Sequence, residues 1–177
     1  MNGLNEFEVE YEQNQENEES QDMGSYNHSL VQAQLSALLL SQESRFSVFI
    51  ELSLDSGNID LSQFDIKAKE ELKPDICLYS RSEKNAKVKK RDIIKMSDMP
   101  LLAIEVVSPR QSVDKIIAKF EAYFTLGIKS CWLIIPTLEA VDVYSQFEQH
   151  KIFEINDTEV IDEKLNIRLP IQKIFEW

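Results

Sequence analysis

Apolar and polar residues change rhythm several times along the chain, and each change predicts an element. In "SYNHSLVQAQLSALLLS" the residues Leu30, Val31, Gln34, Leu35, Leu38 and Leu39 recur near helical spacing, with Ser25 or Asn27 available as a cap. This predicts a helix over about residues 28–42. The period then drops to two in "RFSVFIELSLDSG", where Phe46, Val48, Ile50, Leu52 and Leu54 alternate with mostly polar partners until Gly57. One half-buried strand is the expectation there. "DICLYS" reads as a second short strand, entered through Pro74, which disfavours helix at Lys73.

"LLAIEVV" is almost continuously apolar and suits a strand buried on both faces, closed by Ser108-Pro109. In "SVDKIIAKFEAYFTLG" a 3.6-residue period returns. Val113, Ile116, Ile117, Phe120, Tyr123 and Phe124 share one face, between a candidate N-cap at Ser112 and a stop at Gly127. "SCWLIIP" follows as an apolar strand, then "AVDVYSQF" and "KIFEI" as a hairpin around Glu148 and His150. A helix, three strands, a helix and further strands fit a layered α/β (α+β) domain with a mixed central sheet.

Composition refines this picture little: 43% hydrophobic and 28% charged residues in 177 suit one soluble domain. The longest apolar runs are too short to cross a bilayer, and the first residues lack a signal-peptide pattern, so a cytoplasmic protein is expected. Cys77 and Cys131 sit in strand-like segments without metal-ligand spacing and are expected to be buried thiols.

Charge is more informative. A net charge of −12 argues against nucleic acid, yet residues 1–24 hold eight acidic residues and no Lys or Arg, which leaves −4 for residues 25–177. The sequence therefore divides into an acidic arm over 1–24 and a single domain over 25–177. Residues 81–95, "RSEKNAKVKKRDIIK", are biased the other way, with seven basic and two acidic residues. They form either a phosphate-contacting loop or a solvated one, about 15–20 Å from the acids considered next.

Pairing "DICLYS" with "LLAIEVV" as antiparallel strands sets Tyr79 opposite Leu101, Cys77 opposite Ala103 and Asp75 opposite Glu105. Opposed residues share a face with Cβ atoms about 5 Å apart, so two carboxylates would meet and need a cation, a shared proton or water. Mg²⁺ or Mn²⁺ is a fitting cation, since such ions take one or two carboxylates plus waters and phosphate oxygens. On the helix that follows, Lys119 lies about 40° from Tyr123 and can reach the sheet. Asp75, Glu105 and Lys119 together make a phosphodiester-hydrolysis set. Taken singly, Lys119 is equally a surface lysine lying along apolar neighbours, Asp75 a turn residue and Tyr123 a core residue.

"KPDICLYS", "LLAIEVVSPR", "DKIIAKFEAYFTLGIKSCWLIIP", "VDVY" and "LPIQKIF" closely resemble the Uma-type family of proposed bacterial restriction endonucleases, within the PD-(D/E)XK nuclease superfamily, over residues 25–177. The resemblance implies a restriction-endonuclease-like core, a central four-stranded mixed sheet flanked by helices, and a metal-dependent nuclease site acting on DNA. It assigns Asp75 and Glu105 as metal ligands. The superfamily's lysine commonly stands two residues after the glutamate, where this chain has Val107, and the resemblance moves that role to Lys119. His28 matches a histidine at the start of the family's first helix, as an accessory residue. A homodimer is a further expectation, because a duplex has two strands to cut. The alternative function is a nuclease-fold binding or assembly module without cleavage.

Overall fold

The computed structural model describes residues 24–42, 45–68, 70–81 and 92–177. All but one residue of the acidic arm, and residues 82–91 of the basic run, lie outside the described residues. Helix α1 (Tyr26–Leu40) starts where Ser25 accepts a hydrogen bond from the His28 amide and buries Val31, Leu35 and Leu39. Strand β1 (Phe46–Ile50) follows.

The alternation over residues 46–54 continues unbroken, but the strand does not. Glu51 adopts a left-handed φ of 52°, which turns the chain, and β2 (Leu54–Asp55) pairs with β3 (Glu71–Leu72) in a separate small sheet. The single strand expected there is therefore two. Between β2 and β3 a 3₁₀ turn at Leu61–Phe64 buries both of its apolar ends.

Strands β4 (Ile76–Ser80) and β5 (Leu102–Val106) pair antiparallel with Ile76 opposite Ile104, Cys77 opposite Ala103 and Leu78 opposite Leu102. This is the register that the residue pattern predicts. Helix α2 (Val113–Thr125) then carries the chain over the sheet to β6 (Ser130–Ile135), which runs parallel to β5. Gly127 ends that helix at φ 96°: its amide donates to Phe124 O and the Ile128 amide reaches Tyr123 O, a Schellman pair. Ser112 begins the helix without a side-chain capping bond.

Strands β7 (Ala140–Gln146) and β8 (Gln149–Glu154) complete a six-stranded mixed sheet in the order β1-β4-β5-β6-β7-β8. The sheet exceeds the four strands implied by the resemblance. Their turn lies at Phe147 and Glu148, leaving His150 within β8. A further hairpin, β9 (Glu159–Asp162) with β10 (Ile167–Pro170), and the short helix α3 (Ile171–Ile174) follow.

Each sheet face has its own core. On one, α1, α3 and the β9-β10 hairpin pack over Ile76, Leu78, Ile104, Val106 and Trp132. On the other, α2 and the Leu54–Leu72 region cover Ala103, Cys131 and Leu133. Every residue of β5 is buried, which explains why its sequence is apolar apart from Glu105. Cys77 and Cys131 are buried free thiols, and burial pushes the Cys77 thiol up to about 12. Among the described residues no helix is long and apolar enough to cross a membrane.

Candidate active site

Glu105 is the exception within β5: a carboxylate 2% exposed among apolar neighbours. The β4–β5 ladder ends at Ile76 and Ile104, so Asp75, the next residue outward, comes to the same strand end as Glu105. Its Oδ2 accepts a hydrogen bond from the Val106 amide at 2.7 Å. His28, buried in the first turn of α1, brings Nε2 to 3.3 Å from the same oxygen. The Asp75 main-chain carbonyl accepts from Gln32 Nε2 at 2.9 Å and from the Glu51 amide at 3.1 Å.

From the other face, α2 supplies two groups to Glu105. Tyr123 donates its hydroxyl to Oε1 at 2.6 Å, and Lys119 Nζ stands 3.4 Å from Oε2. Lys119 and Tyr123 are four residues apart on the helix and so share a face. The lysine remains partly exposed, at 23% of its side chain, and Asp75 at 20%, so the cluster opens to solvent on that side.

Electrostatics follow from this crowding. Burial pushes the Glu105 carboxyl up to about 7, and the neighbouring Asp75 adds to the rise, while Lys119 and the Tyr123 hydrogen bond oppose it. The hydrogen bond to Asp75 raises the pKa of His28 against the lowering effect of its burial, with Asp75, Glu105 and Glu51 adding attraction. Burial, then the Glu105 charge, holds the Tyr123 hydroxyl well above its ordinary value, so it stays a neutral donor.

Asp75 and Glu105 are the residues that could hold a cation. Among the described residues no group of three or more His, Cys, Asp or Glu side chains forms a ready-made cage. Mg²⁺ and Mn²⁺ do not require one, because water and phosphate oxygens complete their shells. Two adjacent carboxylates, one of them short of compensating charge in a buried setting, are a donor set that fits a hard divalent ion.

The structure thus brings Asp75, Glu105, Lys119 and His28 together at one end of the sheet. Val107 contributes its side chain to the apolar cluster beneath α2. Of the basic run, Lys95 lies near Asp55 and Glu70, at 3.8 and 3.9 Å. Sequence reasoning placed Tyr123 in the core, where it is, without its bond to Glu105. The signal available was its spacing of four from Lys119. Gln32 stands at the same spacing from His28, and its contact with Asp75 is absent from the sequence reading.

Comparison with known proteins bears on the fold and the family. A solved structure described as "a putative nuclease belonging to DUF820 from Anabaena variabilis ATCC 29413" superposes with a TM-score of 0.67 at 22% identity, over 88% of this chain and 83% of that one. That likeness establishes the fold. No curated protein matches the chain. The sequence profile of the Uma2 family, described as "Putative restriction endonuclease", matches residues 5–172, and the chain belongs to that family.

Proposed function

We propose that the protein is a Mg²⁺- or Mn²⁺-dependent endonuclease that hydrolyses DNA phosphodiester bonds. One observation carries the reading: two carboxylates from neighbouring strands meet at a partly open strand end with a lysine 3.4 Å from one of them. Membership of a family described as "Putative restriction endonuclease" supports the substrate class.

Asp75 and Glu105 would hold the cation, which when bound polarises a phosphoryl group and lowers the pKa of a coordinated water. Lys119 brings a positive charge to 3.4 Å from Glu105 and would orient the attacking water or neutralise charge developing on phosphoryl oxygens. The Val106 amide keeps the Asp75 carboxylate turned to the strand end.

The test is incubation of purified protein with plasmid and single-stranded DNA, with Mg²⁺, Mn²⁺ or chelator. Metal-dependent cleavage lost in Asp75→Ala and Glu105→Ala proteins is the expected result, and cleavage persisting in either variant overturns the mechanism. The net charge of −12 favours a second reading, a nuclease-fold binding or assembly module without cleavage. DNA left intact, with no calorimetric uptake of Mn²⁺, would support that reading instead.

A further inference from the structure

Carboxylates bind a divalent ion well only when their oxygens are already turned towards it, because rotations frozen on binding lower the affinity. The surroundings of Asp75 and Glu105 are unequal in a systematic way. Asp75 has one oxygen, Oδ2, engaged by both the Val106 amide and His28 Nε2. Glu105 has one oxygen, Oε1, engaged by the Tyr123 hydroxyl at 2.6 Å. Its other oxygen faces Lys119 at 3.4 Å, a looser contact than a charge-assisted hydrogen bond of about 2.7–2.9 Å.

The two donors come from opposite faces of the sheet, His28 from α1 and Tyr123 from α2. Both are buried. His28 is 6% exposed, and its Nδ1 is buried with no hydrogen-bond partner among the described residues. An unpaired buried nitrogen costs about 1–3 kcal/mol, which an apolar side chain at that position would avoid. Nε2 faces a carboxylate oxygen, which accepts, so Nε2 is the donor towards Asp75. Helix α1 also grips the Asp75 backbone one turn later, through Gln32. Tyr123 is fully buried, and phenylalanine would fill nearly the same volume without the hydroxyl.

We propose that His28 and Tyr123 are positioning residues, each pinning one oxygen of a carboxylate so that the remaining oxygens of Asp75 and Glu105 are presented to a shared divalent cation. This rests on the reading of those two acids as the ligands, and it assigns α1 and α2 a common task from opposite sides of the sheet. Such outer partners typically change metal affinity 10- to 100-fold when removed.

The experiment is calorimetric titration of Mn²⁺ into the metal-stripped full-length protein, comparing wild type with His28→Ala, His28→Gln, Tyr123→Phe, Asp75→Ala and Glu105→Ala, with circular dichroism to confirm folding. Tyr123→Phe and His28→Ala are expected to bind Mn²⁺ about 10- to 100-fold more weakly. His28→Gln, whose amide nitrogen can take the place of Nε2, is expected to recover most of the loss. Absent binding in wild type, or unchanged binding in Asp75→Ala and Glu105→Ala, removes the ligand assignment and this proposal with it. Wild-type binding that depends on both acids, with His28→Ala and Tyr123→Phe within twofold of wild type, overturns the positioning role alone. Should His28→Ala fail to fold, Tyr123→Phe and His28→Gln decide: wild-type affinity in Tyr123→Phe, or affinity as weak in His28→Gln as in Tyr123→Phe, overturns the corresponding assignment.

Discussion

Replacing Glu105 by glutamine removes a charge from the sheet interior while keeping the shape and the oxygen that accepts the Tyr123 hydroxyl. In the folded protein the Glu105 carboxyl is pushed up to about 7 from 4.5, chiefly by burial. A rise of that size corresponds to about 3 kcal/mol. The folded state then binds more protons than the unfolded state between about pH 4.5 and 7. Wild-type stability therefore falls as pH rises through that window and levels off above it. His28, whose pKa is also raised, adds a loss in the same direction as pH climbs through its folded value. That part persists in the variant, because its largest cause is the hydrogen bond to Asp75. The difference between the proteins thus isolates Glu105. Urea unfolding of both, in chelator from pH 4.5 to 8.5, is expected to show Glu105→Gln gaining about 3 kcal/mol on wild type across the range. A difference that stays flat, or that grows towards low pH, would refute the claim that this carboxylate is held at an electrostatic cost.

Lys119→Met should leave Mn²⁺ binding within a few fold of wild type and lower cleavage by about 100-fold or more, read in a plasmid-nicking assay; unchanged cleavage would remove its role. Excess Mn²⁺ should stabilise wild type by about 2.7 kcal/mol at a hundred times its Kd and leave Asp75→Ala unmoved, measured as a shift in urea midpoint. Gly127→Ala should destabilise by about 1–2 kcal/mol, since its φ of 96° is unfavourable for a side chain although the space is open. Asp162→Ala should cost about 3 kcal/mol by the same measurement: it strands the buried Trp132 indole and the Leu165 amide, while Ser130 can turn its hydroxyl to Tyr144 O.

Much of the site was legible from residue order. The Asp75–Glu105 relation followed from the period of two in adjacent antiparallel strands, and the β4–β5 register agrees with it. Lys119 followed from the helical period, because only residues at that angle on α2 face the sheet. These are local rules, set by backbone geometry shared by all chains. The break at Glu51 was illegible, since the apolar alternation runs straight through it and no glycine marks the left-handed residue. The β9-β10 hairpin is illegible for a related reason. Its buried Asp162 reads as a surface residue until Ser130 and Trp132 of β6 are seen to meet it.

By itself, then, the sequence determined the order and type of the principal elements, the covered central strand, and the acids and lysine brought to one edge of it. Only the tertiary structure decided how those acids are held. The side chains that reach Asp75, His28 and Gln32, come from the first helix, on one face, and those that reach Glu105, Tyr123 and Lys119, from the helix after β5, on the other. Contacts of that kind depend on how layers dock, which no local period encodes. Docking is also what turns Glu105 from an interruption in an apolar strand into a buried carboxyl near pH 7, because its charge is set by what surrounds it rather than by its neighbours in the chain.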